Sequence, residues 1–322
     1  MNRRRLVGIG LGALAGAAYG TGPLFFKKYV FPAGVGWIEM LMWRFLFAMV
    51  VSWLWLALQP KARAACRELD RRTVGRLMFT GAFFILNASV YYAAIERIDI
   101  SLVALLMSAY PALVAVLSLR LGYRLQGRLA WGSLLIVIVG SVLTIGGVNA
   151  GTSSEGIVLA LLSPIAYAIY IMITAFMAGE RPGQTADMRS QGQGAETPPA
   201  VAGAVMMTGT FIATLLLALV TRQPVLPTEV PSGAWPGLFG IGFFAAAVAI
   251  QAFYASAARI GAAQASLMAT VEPVVVIILG IAFLDESFSP IRAVGALVVL
   301  SGVLLAQTAT PSESRTVVLE EP

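Results

Sequence analysis

Apolar residues run through this chain in long unbroken stretches. They show neither the alternation of a half-buried strand nor the narrow stripe of a soluble amphipathic helix. Ten stretches can be marked, at roughly 7–30, 36–58, 75–95, 100–119, 130–148, 156–178, 201–221, 234–257, 263–283 and 291–308. Each is about 18–24 residues long, enough to cross about 30 Å of hydrocarbon as a helix. Helix is the expected form, because lipid cannot satisfy the backbone of an open strand. The pattern predicts an all-α integral membrane protein of ten transmembrane helices. Most connections are short. The segment 179–200, GERPGQTADMRSQGQGAETPPA, reads as a disordered cytoplasmic linker, and 309–322 as a disordered tail. Arg3–Arg5 followed by LVGIGLGALAGAA looks like the start of a secretory leader. The apolar pattern continues past Tyr19 to Val30, too long for a leader, so a retained first helix is expected.

One stretch occurs twice. YAAIERIDISLVALLMSAYP, Tyr92 to Pro111, aligns without a gap on YASAARIGAAQASLMATVEP, Tyr254 to Pro273, at an offset of 162. Tyr92/Tyr254, Ala93/Ala255, Arg97/Arg259, Ile98/Ile260, Leu105/Leu267 and Pro111/Pro273 are identical. Upstream, Gly8, Ile9, Leu11, Ala18 and Tyr19 match Gly156, Ile157, Leu159, Ala166 and Tyr167 at an offset of 148, and the 179–200 segment absorbs the difference. The chain therefore divides into a five-helix repeat over 1–148 and a second over 149–308. An odd number of spans per repeat requires the halves to insert in opposite directions, the inverted-topology layout of secondary transporters.

Charge sets the expected orientation. With the N-terminus in the cytoplasm, 16 of the 22 Lys and Arg fall on the cytoplasmic side, five on the other, and Arg44 lies within a span. Both termini are thus expected in the cytoplasm, with the chain a multi-pass protein of a cell (inner or plasma) membrane. The net charge of +6 does not point to nucleic acid, because the basic residues sit in short loops between apolar segments. Composition agrees: 58% hydrophobic and 12% charged, with a mean hydropathy of +0.83. The one cysteine, Cys66, excludes an internal disulfide, and the lack of histidine removes the commonest general base and metal ligand. No cofactor or metal is expected.

A few polar residues within the spans are candidates for chemistry. A carboxylate in a span costs about 2.5–3.5 kcal/mol unless it is neutral, paired or facing water. Glu272, just before Pro273, has two readings: a proton-coupling or substrate-cation site, or a structural carboxylate held by backbone or a neighbouring arginine. Pro111 and Pro273 weaken their helices by removing a backbone donor. Arg44 suits a substrate carboxylate, which it would bind with two parallel hydrogen bonds; packing or topology is the alternative. Glu39 is expected near the outer interface, its carboxylate reaching toward water. Lys27 and Lys28 end the first span. Asn87 and Tyr91 share one helix face, as do Gln251 and Tyr254. These faces are expected to line the cavity, with Tyr19, Tyr110 and Tyr167 at its edges; interfacial aromatics or helix–helix glue is the other reading. Gly8, Gly12 and Gly16 have the spacing of a close helix contact.

YGTGPLFFKKYV resembles the aromatic-Gly-Ser/Thr-x5-Lys pattern of the EamA-like carriers in the drug/metabolite transporter superfamily, and places Tyr19 and Lys27 on it. Arg44-Phe45, Pro111, Pro273 and the LDE of Leu284–Glu286 resemble further family positions, with Asp285 replacing a glycine. Arg124 stands where the family often has Glu. The resemblance covers essentially the whole chain. It implies transport of a small organic metabolite, amino acids or similar, usually export, by alternating access. Proton coupling and uncoupled diffusion both stay open. A channel, a membrane scaffold and an intramembrane enzyme are the alternatives; the last is disfavoured by the absence of a nucleophile–base set. The expected partners are a small-molecule substrate and the bilayer, with the chain a monomer or homodimer.

Overall fold

The computed structural model describes residues 3–110, 113, 132, 135–136, 138–140, 142–143, 151–177, 197–260, 268–269, 271–286 and 289–309. Pro111, most of the fifth predicted span, the 179–200 linker up to residue 196 and the tail beyond 309 lie outside them. All regular structure among the described residues is helical. The helices are α1 (Arg3–Phe25), α2 (Trp37–Ala57), α3 (Pro60–Arg67), α4 (Arg71–Arg97), α5 (Ile100–Met107), α6 (Ser154–Met177), α7 (Pro199–Val220), α8 (Trp235–Gly242), α9 (Ala249–Ile260), α10 (Val271–Leu284) and α11 (Pro290–Ala309). Five helical stretches, Leu6–Ala33, Trp37–Ala57, Arg71–Arg97, Ala200–Val220 and Ser232–Phe253, are long and apolar enough to cross a membrane.

Two π turns were not legible in the sequence. One, Phe26–Val30, extends α1, and the other, Phe243–Val248, joins α8 to α9. A short basic helix, α3, also interrupts what reads as a loop. Asp70 caps α4 by accepting from the backbone N–H of Arg72 and Thr73, and the bonds from Thr73 hold its carboxyl below the usual range.

The bundle is apolar outside and carries its polar groups within. Leu54, Leu58, Leu216, Val220 and Leu297 are exposed, while Glu39, Arg44, Asn87, Ser163, Thr210 and Arg292 are buried. Such a surface suits lipid and not water. In lipid, apolar burial does not drive helices together, so close backbone approach and buried polar bonds must do so. Both are present. Gly81 of α4 lies against the Met206 carbonyl of α7, and Gly209 of α7 against the Met78 carbonyl of α4. Thr210 donates to the Gly81 carbonyl at 2.8 Å across the same crossing. Gly12 and Gly16 face Met268 and Ala269, and the Gly8 carbonyl accepts from Ser256, so the glycine stripe of α1 seats it on the second half.

The packing repeats under exchange of the halves. By the sequence offsets, α1 corresponds to α6, α2 to α7 and α4 to the α8–α9 region, while α5 and α10 are different parts of corresponding spans, the fourth and the ninth. α4 packs on α6 as α9 packs on α1, α5 meets α6 as α10 meets α1, and α7 meets α4 as α2 meets α8 and the π turn. Corresponding helices that touch run antiparallel. Leu56 at the end of α2 clusters with Ala200, Val201 and Ala204 at the start of α7, and Glu286 beyond α10 bonds the start of α5.

One sequence expectation is corrected. Glu39 does not reach toward water: it is 4% exposed, and its Oε1 has no hydrogen-bond partner among the described residues. The first turn of α2 is covered by the second half, which the local sequence does not reveal.

Candidate functional site

Arg44 lies one third of the way along α2, and the fold turns it toward the second half. Its Nη2 donates to the Ala245 carbonyl in the π turn at 3.0 Å. A π turn displaces carbonyls from the regular ladder, which is why such turns recur at functional positions. The guanidinium lies over the rings of Phe45 at 5.0 Å and Tyr92 at 5.2 Å. Arg44 is 6% exposed, and its Nε has no partner among the described residues.

Glu272, in the first turn of α10, is the opposing charge. It is half-buried deep in the bundle, and lies within electrostatic reach of Arg44. The two do not form an ion pair within 4 Å, and Glu272 has no hydrogen bond among the described residues. Tyr91, Tyr92, Tyr110 and Tyr167 all feel its charge.

Aromatic rings connect these groups. Phe26 meets Tyr92 edge-on at 5.5 Å, and Phe45 meets Phe84 at 6.1 Å. Phe84 then meets Tyr170 at 5.2 Å, and Tyr110 meets Tyr167 at 4.7 Å. Edge-to-face pairs at these separations hold rings in definite orientations. Both halves contribute, so the site lies where they meet. Tyr19 on α1 is half-buried and electrostatically close to Tyr167, its repeat counterpart.

Other candidates are placed differently. Asn87 accepts from Ser163 of α6 at 3.3 Å, and Ser163 also bonds the Met107 sulfur, so Asn87 ties α4 to α6 beside α5. Tyr91 lies one turn further along that face, buried, with its hydroxyl unpartnered among the described residues. Gln251 is half-buried on α9, with an unpartnered Nε2 close to Gly203 of α7. Tyr254 is a turn beyond, and its side chain is not among those described. Pro273 is the third residue of α10 and buried.

Lys27 belongs to a second polar set. Its Nζ lies 3.4 Å from the Glu96 carbonyl, and Asp99, Glu286 and Glu96 act on it electrostatically. Around it the two halves are tied. Glu286 accepts from the backbone N–H groups of Ile100 and Ser101 and from the Ser101 hydroxyl. Arg292, 2% exposed, pairs with Asp99 at 2.9 Å. Arg97 pairs with Glu155 at 3.1 Å. Burial pushes the Glu286 carboxyl above its ordinary range, with its hydrogen bonds opposing. Sequence reading missed this tie. Glu286, Asp99 and Arg292 lie at three separate span ends, and no spacing rule joins them. In the repeat, Ser101 and Asp99 align with Ala263 and Gly261, which carry no side-chain hydrogen-bonding group. Glu286→Ala is expected to leave two N–H groups of α5 unpaired and to cost about 1–3 kcal/mol, read as a lower melting temperature in detergent. An unchanged melting temperature would show that the tie carries no stability.

A family model described as the EamA-like transporter family matches residues 6–146 and again 154–308. The chain belongs to that family, and is a multi-pass membrane transporter of the drug/metabolite type. A crystal structure described only as that of a protein is similar over 94% of this chain and 97% of its own, with a TM-score of 0.64 and 15% identity; it shows the fold alone. No curated protein sequence matches.

Proposed function

We propose that the chain is a secondary transporter that exports small organic metabolites carrying both a carboxylate and an amino group, amino acids or similar, by alternating access. It would do so as ten spans in two inverted five-helix repeats, with both termini cytoplasmic. The observation that carries this reading is that Arg44 and Glu272 share one aromatic-lined site without pairing. Two opposite charges left apart in a low-dielectric interior cost several kcal/mol each unless a ligand or water completes them. A zwitterionic solute would complete both: its carboxylate at the unpartnered edge of Arg44, its ammonium at Glu272 and the tyrosine faces. The tyrosine hydroxyls and ring faces suit a solute with an apolar side chain. Neither half holds both charges, so rocking of one half against the other would open the site to each side in turn.

Glu272 is also the group that would couple export to protons. A carboxylate that binds the ammonium in one state and a proton in the other exchanges the two across the membrane. Glu272→Gln is expected to abolish solute movement driven by a pH gradient in proteoliposomes, while counterflow of labelled amino acid is weakened by the lost ammonium contact but stays measurable at high solute concentration. Unchanged pH dependence in that variant would remove Glu272 from coupling. Absence of counterflow in the wild type, with solute still passing, would favour a pore over a carrier.

A further inference from the structure

A cavity lies away from the charged site, near the opposite end of the bundle from the Glu286 tie. It is a groove of about 150 Å³ lined by Trp53 of α2, Cys66 of α3, Leu69, Val74 and Met78 of α4, and Val205 and Thr208 of α7. Its wall is almost wholly apolar, and its polar atoms are already committed. The Trp53 indole donates to the Thr208 hydroxyl at 2.9 Å, and that hydroxyl donates to the Ala204 carbonyl. A sugar or amino acid would find no hydrogen bond there. Trp53 is exposed, as are Leu54 and Phe79, which follow the lining residues Trp53 and Met78 in the chain, so the groove borders the apolar flank of the bundle.

Arginines stand one helical turn from the lining on both α3 and α4. On α4, Arg71, Val74 and Met78 are spaced by three and four residues and share a face, so Arg71 stands one turn beyond the apolar lining. On α3, Arg63 stands three residues before Cys66 in the same relation. Both arginines are exposed, and neither has an acidic partner among the described residues. Arg72 and Arg76 fall on the opposite face of α4. Asp70 is engaged at the cap of α4 and Glu68 is exposed in the turn between α3 and α4; neither pairs with Arg63 or Arg71.

We propose that this groove binds an anionic phospholipid, one acyl chain lying along Trp53, Val74 and Met78 and the phosphate held by Arg63 and Arg71. The pairing of a satisfied apolar wall with exposed guanidinium groups one helical turn from the lining on both α3 and α4 fits that amphiphile. In the orientation proposed above, the lipid belongs to the cytoplasmic leaflet, whose anionic lipids such juxtamembrane arginines attract. The inference does not depend on what is transported.

Cys66 lines the groove and is the one cysteine of the chain, so it reports occupancy without engineering. The test is the rate of Cys66 alkylation by a maleimide in full-length protein, in detergent micelles doped with either phosphatidylglycerol or phosphatidylcholine of the same chain length. Half-protection is expected at an about tenfold or more lower content of phosphatidylglycerol. The double variant R63Q/R71Q is expected to abolish that preference, and R72Q/R76Q to retain it. Equal protection by the two lipids, no protection by either, or equal loss in both double variants would overturn the proposal. If R63Q/R71Q fails to fold, the wild-type comparison of the two lipids alone decides.

Discussion

Replacing Arg44 by glutamine is expected to weaken solute binding by at least about tenfold, with the protein still folded. A hydrogen bond to a charged group contributes about 1.5–3 kcal/mol, and each 1.4 kcal/mol is a factor of ten in affinity. Arg44 has one nitrogen committed to the Ala245 carbonyl and an Nε without a partner among the described residues. The glutamine amide ends where the Arg44 Nε stands, short of the Ala245 carbonyl, and offers no charge and no second parallel donor. Arg44→Lys restores the charge without the planar fork and should fall between the two. Binding is read as the shift in melting temperature with added amino acid. A purely structural arginine would show the reverse pattern: R44Q would melt far below the wild type in the absence of solute, and the solute-induced shift would persist.

Exchanging Gly81 for alanine should be the most damaging single methyl in the described part of the bundle. The added carbon would fall inside the contact shell of the Met206 carbonyl, and backbone cannot move aside as a side chain can. Overpacking of this kind costs about 1–3 kcal/mol and more where a whole helix must shift. The Thr210 bond to the Gly81 carbonyl would be stretched at the same point. Gly75 is the matched control, on the same helix with open space where its methyl would go. Gly75→Ala should stabilise by up to about 1 kcal/mol through helix propensity. The two substitutions are therefore expected to move the melting temperature in opposite directions. Equal effects would mean that α4 and α7 do not meet through Gly81.

Much of the helical layout was legible because lipid leaves few choices. Apolar stretches of membrane length have to be helices, and α2, α4, α6, α7 and α11 lie within a few residues of the predicted spans. The repeat foretold which helices correspond. It did not foretell how they pack, because an offset in sequence carries no crossing geometry. The π turns at Phe26–Val30 and Phe243–Val248 escaped for a different reason. A π turn adds one residue to a helical turn, and nothing in FKKYV or FFAAAV departs from ordinary helical composition.

The candidate site was partly legible. A charge within an apolar span draws notice by its cost, which is how Arg44 and Glu272 stood out. Their shared surroundings could not be read, since 228 positions separate them in the chain. Phe84 was overlooked because an aromatic ring in a membrane helix is common, and only the fold brings it beside Tyr167; Tyr170, three residues along α6 from Tyr167, could have been read from helical spacing. Asn87 illustrates the opposite error of emphasis. A polar residue facing the bundle interior can serve a neighbouring helix, and Asn87 is bonded to Ser163 of α6.

The most direct measurement is thermal unfolding of the purified full-length protein in detergent against a panel of amino acids, each paired with its decarboxylated amine and its deaminated acid. A ligand at 100 times its dissociation constant stabilises the folded state by about 2.7 kcal/mol. If Arg44 and Glu272 hold the two ends of a zwitterion, the intact amino acid should raise the melting temperature. The amine and the acid should each do so far less, and R44Q should lose the response. Stabilisation by amine and acid as strong as by the amino acid, or a response unchanged in R44Q, would contradict a site built on this pair.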